Sequence, residues 1–474
     1  MTANKTIFRY KTERILSAPI MINLELTSGC NIKCRHCYNF WRDDSRGAAD
    51  KISRKRMDRL VEMIRRNNVF HVVLTGGEPF LNFDVLEYAL KEFHALGIST
   101  SVNSNLMLAT PDKIQRLRNT GLDHVLTSLN SHNPEVNDYM VNKKGAFFRI
   151  IQGIKTAIDK GVRVSANMII CRTNKDHIYE TTKLCSEIGV QKIFATRLVP
   201  SINVENPSET DLQLDREDAL NAIDNLLSAQ KHFGIEIGIL IGYPLCLLGN
   251  LDKYREFVGR GCPAQRGNRM VINADGETHA CTHESNSYGN VFDIGIKKAF
   301  ENMLRWHDGS FLYQGCKDCE YINVCGSGCR SAAFSYFNKM DEKDPLFIGR
   351  ANIKHHYRID IPSEINTLID RNESFAVPET IRFRPEKGFY TINIRWANAY
   401  TIDKNIADFL RNKQSAGKTI SLGNMIGKNP RDDLIKLIFK EALVPADPLS
   451  RTSLKNCVKK GCSVNPYDLP DVFS

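Results

Sequence analysis

Nowhere in its 474 residues does the chain hold an apolar run long enough to cross a bilayer. The opening stretch MTANKTIFRYKTERILSAPI likewise lacks the hydrophobic block of a secretion signal. A cytoplasmic protein with no membrane partner is the expectation. Blocks of like charge are also missing. The 64 Lys and Arg are interspersed with 54 Asp and Glu, so the formal net charge of +10 spreads over a solvated surface and gives no reason to expect nucleic acid. No internal repeat or low-complexity tract is present, which excludes solenoids and biased flexible tracts. Residues 377–445 have no cysteine, although the chain has fourteen. In a reducing compartment those thiols are not expected to pair as disulfides, and their clustering points to metal binding or catalysis.

The length implies several domains. From about 20 to 235, strand-like runs such as APIMINLEL, HVVLTGG, HVLTSLN and VRVSANMII alternate with helical segments such as RKRMDRLVEMIRR. Alternation of this kind predicts a curved, barrel-like parallel sheet. Residues 236–350 break the pattern with short strands, glycines and seven cysteines. Residues 351–376 read as a helix and linker, 377–445 as a compact unit of strands and helices, and 446–474 as a polar tail carrying Cys457 and Cys462.

SGCNIKCRHCYNFW, residues 28–41, presents Cys30, Cys34 and Cys37 and no fourth thiol. A cubane [4Fe-4S] cluster takes cysteine thiolates as its usual ligands, so three of them leave one iron free to bind something else. Placed after the strand MINLEL, the loop would sit at the C-terminal edge of the sheet, where α/β barrels bind substrates. Zinc held with the help of His36 is the competing reading, but adjacent His36 and Cys37 would have difficulty both pointing at one ion. In TGGEP, Thr75–Pro79, Gly76 and Gly77 would allow close backbone approach to a ligand, and Glu78 offers an acceptor to an ammonium. Cys171 and Cys185 match neither cysteine pattern and read as small buried hydrophobes.

CNIKCRHCY resembles the signature loop of the radical S-adenosylmethionine superfamily, and TGGEP resembles its glycine-rich element. The resemblance implies a partial (β/α)6 TIM-like barrel over residues 1–235. It also implies an iron open to the amino and carboxylate groups of S-adenosylmethionine, and a hydrogen-abstracting 5′-deoxyadenosyl radical formed after reduction. Gly76, Gly77, Glu78 and Pro79 would belong to the cofactor site. Ser128 and Asn167, with Ser104, Asn105 and Arg197 behind them, are candidate contacts for cofactor or substrate. Asn130 stands where many relatives carry aspartate; Asp138 and Gly145 keep the family's landmarks.

Cys262, Gly276, Cys281 and the run Cys316, Cys319, Cys325, Cys329 resemble the SPASM auxiliary-cluster extension of this superfamily. The resemblance assigns Cys262, Cys281 and Cys329 to a first auxiliary [4Fe-4S] cluster, with Cys246 as its fourth ligand. Cys316, Cys319 and Cys325 would hold a second, for three clusters in all. The usual last cysteine is replaced near Phe347. Asp341 or Asp344 is expected there as an oxygen ligand, or else Cys457 or Cys462 returning from the tail.

RFRPEKGFYTINI through EALV resembles the winged-helix-like leader-peptide recognition domain of peptide-modifying systems, an α+β unit. Together these resemblances imply an enzyme that crosslinks a ribosomally made precursor peptide through a carbon–carbon or thioether bond. The C-terminal unit would capture the leader, and a flavodoxin or ferredoxin-type donor would supply electrons. A formylglycine-generating sulfatase maturase and a non-enzymatic iron-sulfur regulator are the alternatives.

Overall fold

The strand His71–Thr75, HVVLT, is buried along its whole length, as a parallel strand covered by helices on one face and packed against the barrel interior on the other should be. It belongs to a computed structural model that describes residues 15–39, 50–200, 212–259, 261–355, 362–427, 429–452 and 454. Cys457 and Cys462 lie outside these residues. The described chain divides into two compact units. One takes in Ala18–Leu248 and residues 261–352; the other takes in residues 15–17, Gly249–Gly259 and the chain from Ile353 onward.

In the first unit, β1 (Met21–Glu25), β2 (His71–Thr75), β3 (Ser99–Asn103), β4 (His124–Ser128), β5 (Arg163–Ile170) and β6 (Lys192–Arg197) pair in parallel, each with the next. The intervening helices include α1 (Arg54–Arg66), α2 (Phe83–Ala95), α3 (Pro111–Asn119), α4 (Pro134–Val141), α5 (Ala146–Asp159) and α6 (Ile178–Glu187). Local chemistry sets their ends. Ser53 caps α1 by accepting from the Arg56 N–H, and the helix buries Met57, Leu60 and Ile64 at helical spacing. Thr110 caps α3, with Pro111 in the first turn, where its missing N–H costs nothing.

The sheet extends beyond the six expected strands. β7 (Glu236–Gly238) continues it past β6, β8 (Arg269–Ile272) pairs in parallel with the outer side of β1, and β9 (Thr278–His279) returns antiparallel. The cysteine-rich segment is therefore built onto the barrel sheet, and no break in the fold falls at residue 235/236. β7 has three residues and β8 four, too few for an alternation pattern to mark them in the sequence. No helix among the described residues is long and apolar enough to cross a membrane.

The second unit has its own core, in which Ile365, Phe375, Ile392, Leu410, Leu434 and Ile438 are buried. Glu386, Lys387 and Gly388 form the expected turn between β11 (Arg382–Pro385) and β12 (Phe389–Arg395), with Gly388 at φ +89°. A third antiparallel strand, β13 (Asn398–Asp403), joins them, and a short pair is made by β10 (Phe375–Ala376) and β14 (Val444–Pro445). Glu386 is the electrostatic centre of this unit. Its carboxylate accepts from Arg384 Nε at 2.7 Å, Thr391 Oγ1 at 2.8 Å and the Ser17 N–H at 2.7 Å, and the Arg384 and Glu386 side chains are both buried. Glu386→Ala would leave the Arg384 charge buried without its partner. It should destabilise this unit by about 3–5 kcal/mol, seen as an earlier C-terminal transition in urea-dependent hydrogen exchange.

Candidate active site

The loop after β1 is fixed by the strand end beside it. Gly77 N–H donates to Thr27 O at 2.7 Å and Glu78 N–H donates to Gly29 O at 2.8 Å. A Cβ at Gly77 would stand 1.9 Å from Gly29 O, and one at Gly76, where φ is +135°, 2.4 Å from Thr27 O. The glycine pair is thus required by backbone-on-backbone contact between two strand ends, in addition to any ligand. Further anchors come from across the barrel. Asn105 Nδ2 donates to Asn31 Oδ1 at 2.7 Å, Lys143 Nζ to Asn31 O at 2.8 Å, and Arg35 Nε to Tyr139 O at 3.1 Å.

Cys30, Cys34 and Cys37 line a cavity of about 270 Å³ at the C-terminal ends of the strands. Gly76, Gly77, Ser104, Asn105, Ser128 and Asn167 line it too. Strand register explains the last pair: Ser128 at the end of β4 lies directly across from Asn167 of β5, whose Oδ1 accepts from Thr196 Oγ1 at 2.7 Å. Cys262, Cys281, Cys325 and Cys329 line it as well. Two groups of thiols therefore face one space.

Several expected site residues have other partners or positions. Glu78 lies behind the cavity wall, fully buried. Its carboxylate accepts from Ser104 Oγ at 2.8 Å, the Asn105 N–H at 2.9 Å and the Phe80 N–H at 3.1 Å, so it holds the β3 loop. Pro79 is the buried first residue of the short helical turn Pro79–Asn82. Arg197 reaches the cavity, but its guanidinium forks onto Asp344 at 3.0 and 2.5 Å and donates to Gly242 O at 3.0 Å. Asp344 also accepts the Cys329 N–H at 2.7 Å and the Leu346 N–H at 2.9 Å. Burial pushes the Asp344 carboxyl up, yet Arg197 and these N–H donors outweigh it and hold it below the usual carboxylate range. With both oxygens engaged in this way, Asp344 is no fourth iron ligand, and Asp341 is exposed. Phe347, at the site of the missing cysteine, packs with Leu312, Cys316 and Ile322.

Cys246 is also placed otherwise than expected. Cys316, Cys319 and Cys325 are each pushed up first by burial and further by the nearby Cys246 charge, whereas Cys329 is pushed up by burial and by Cys262 and Cys281. Cys246 therefore sits with the second auxiliary group, not the first. Burial raises Cys316 and Cys329 to about 12 and Cys325 to about 11. Cysteine thiolates are the usual protein ligands of iron-sulfur clusters, and free thiols are what these groups bring together. The donor set thus fits iron-sulfur clusters.

His283 was not apparent as a site residue from the sequence. Its Nδ1 lies 3.9 Å from Cys281 Sγ, its ring packs on Tyr38 at 5.1 Å between centroids, and burial lowers its pKa to about 3. The one available signal was its place two residues after Cys281. Cys171 and Cys185 are buried, as small hydrophobes would be.

Residues 24–185 match the Radical SAM superfamily. Residues 24–185, the barrel sheet with its cysteine loop, are thus a radical S-adenosylmethionine domain, and the chain is an enzyme. Its relatives narrow the setting. The mycofactocin maturase MftC of Mycobacterium tuberculosis is 28% identical over 398 residues, 79% of this chain and 95% of that protein. An AdoMet-dependent heme synthase of Methanosarcina barkeri is 26% identical over 361 residues, 71% of this chain and 99% of that one. The crystal structure of Streptococcus suis SuiB bound to precursor peptide SuiA shares the fold with a TM-score of 0.55 at 18% identity, covering 72% of this chain and 77% of SuiB.

Gly77→Ala should displace the cysteine loop and lower S-adenosylmethionine cleavage by about a hundredfold, with iron content reduced while the circular dichroism stays that of the folded barrel. Arg197→Ala would leave Asp344 charged and buried without its partner. It should cost about 3–5 kcal/mol of stability, measured as a lowered Tm, and a change confined to the KM for S-adenosylmethionine would contradict this structural role.

Proposed function

We propose that the enzyme installs an oxidative crosslink, carbon–carbon or thioether, in a ribosomally synthesised precursor peptide. The reading is carried by one observation: the cavity lined by Cys30, Cys34 and Cys37 is lined also by Cys262, Cys281, Cys325 and Cys329. Joining two peptide residues removes a pair of hydrogens overall, so a redox group beside the substrate is useful, and these thiols are its ligands. A relative named as a maturase and a neighbour bound to a precursor peptide support the same substrate class.

When bound, a [4Fe-4S] cluster with S-adenosylmethionine supplies the one-electron chemistry that yields a hydrogen-abstracting radical. The chain's own residues position and shield. Cys30, Cys34 and Cys37 would provide three thiolates, and Gly76 and Gly77 would leave room for the cofactor beside their backbone. Ser104, Asn105, Ser128 and Asn167 offer polar contacts to its sugar, base or carboxylate. Ile32, Val141, Ile150, Ile169 and Leu198 give the cavity apolar walls that limit water. Two further clusters on the auxiliary thiols bring the total to three, with electrons delivered by a flavodoxin or ferredoxin-type donor.

The C-terminal unit is the leader-binding domain in this proposal. β11 and β13 border its three-stranded sheet, and an extended peptide adds to such an edge through main-chain hydrogen bonds. A regulator reading DNA is disfavoured by the helix Pro430–Phe439, which mixes Asp432 and Asp433 with Arg431 and Lys436 and buries Leu434, Ile435 and Ile438.

Coexpression with small reading frames beside the gene, followed by mass spectrometry, tests the proposal. A peptide lighter by two hydrogens, with no backbone fragments between the linked residues, is expected. Substituting alanine at Cys30, Cys34 and Cys37 should abolish the product while leaving auxiliary-cluster absorption. An epimerised peptide of unchanged mass would overturn crosslinking, and a carbonyl-reactive residue would favour the formylglycine reading.

A further inference from the structure

Of the described residues that line the catalytic cavity none is an aspartate, a glutamate or a lysine, and two are arginines, Arg197 and Arg269. Arg197 is neutralised by Asp344. Arg269, the first residue of β8, is not: its Nε is buried without a hydrogen-bond partner, and no carboxylate of the described residues pairs with its guanidinium. Burial pushes the Cys262 thiol up and the His283 imidazole down, and the positive charge of Arg269 acts on both, which puts the guanidinium beside them. Charges withdrawn from water are as a rule paired, and here the described chain holds no partner.

Asn23 is a second polar group left open. It is 7% exposed, lines the same cavity, and its Oδ1 is buried with no hydrogen-bond partner. Register relates the two. β1 and β8 run parallel with Met21 across from Arg269 and Asn23 across from Val271, so Asn23 and Arg269 stand on the same face of adjacent strands, one pleat repeat apart. A guanidinium fork takes a carboxylate in two parallel hydrogen bonds, and an amide oxygen accepts an N–H. A peptide residue with a free carboxylate offers both. In the sheet, β8 flanks β1 on the side away from β2 to β5, whose ends carry Gly76, Gly77 and the serine and asparagine contacts proposed for S-adenosylmethionine.

We propose that Arg269 and Asn23 form a recognition subsite for a carboxylate of the peptide substrate, from an Asp or Glu side chain or the C-terminus, with Arg269 taking the carboxylate and Asn23 Oδ1 accepting a neighbouring backbone N–H. The subsite rests on the peptide-substrate reading of the same cavity. It adds a requirement that reading lacks: a negative charge close to the residue that reacts. Binding forms an ion pair and breaks no bond.

The test uses the full-length reconstituted enzyme without oxygen, the precursor encoded by the small reading frame beside the gene, and peptide-dependent 5′-deoxyadenosine formation as the readout. Arg269→Gln should raise the KM for the precursor about thirtyfold, and Arg269→Lys should recover part of the loss. Precursors in which each Asp or Glu in turn becomes Asn or Gln, or the C-terminus is amidated, locate the partner. One of them should bind the parent enzyme as weakly as the natural precursor binds Arg269→Gln, and lose nothing further in that variant. The cycle reads binding whatever bond is then made, so its failure is distinct from a failure of the crosslinking proposal. Effects that add at every neutralised position would overturn the subsite. So would a raised KM for S-adenosylmethionine measured without peptide, which would give Arg269 to the carboxylate of that cofactor. A shifted reduction potential of the Cys262 site with the precursor KM unchanged would overturn it as well. A second measurement needs neither a variant nor the precursor. Labelling of Arg269 by phenylglyoxal in the parent protein, mapped by mass spectrometry, should be slowed by acetyl-Gly-Glu-Gly-amide and not by acetyl-Gly-Gln-Gly-amide, and equal labelling with the two would sink the proposal.

Discussion

The contact on which the site depends is the clasp between the loop after β1 and the end of β2. Two backbone hydrogen bonds hold it, and at Gly77 the approach is so close that no side chain fits. The clasp is extended by Glu78, which turns away from the cavity and takes Ser104 and the Asn105 N–H, while the Asn105 side chain reaches back to Asn31 in the cysteine loop. Three strand ends are thereby locked into one hydrogen-bonded circuit. A loop of partly exposed thiols, costly to order on its own, receives its geometry from the sheet.

A second brace works at the far wall. The Arg197–Asp344 pair joins the end of β6 to the backbone of Cys329, so the barrel and the auxiliary thiols share one buried ion pair. Buried charges of this kind add little net stability, but they penalise any other arrangement of the two segments. Their value here is in specifying where the second wall stands relative to the first.

Much of this was legible in the sequence. Long runs such as HVVLT and RVSANMII announce buried parallel strands because their β-branched residues continue without a polar face. Cysteine spacing marked the loop and both auxiliary groups. The cavity contacts Ser128 and Asn167 followed from their place at strand ends. Partner choice was not legible. TGGEP gives no sign that Glu78 faces the β3 loop, and Arg197 cannot be matched to Asp344, 147 positions away, from spacing alone. That Cys246, read with the first auxiliary group, stands near Cys316, Cys319 and Cys325 was hidden for the same reason: its carbonyl is held by Asn352 of the turn Arg350–Asn352, which has no motif of its own. β7 and β8 were missed because three or four residues carry no periodicity.

β8 pairs with β1, the first strand of the sheet, yet it is synthesised only after β2 to β7. Until then one edge of β1 has unsatisfied N–H and C=O groups, and so invites pairing with a neighbouring chain. Closing that edge brings together segments far apart in the sequence, a slow kind of event in folding. The auxiliary segment is therefore also the cover on the outer edge of β1, and a truncated product ending before β8 would be an aggregation hazard in the cell.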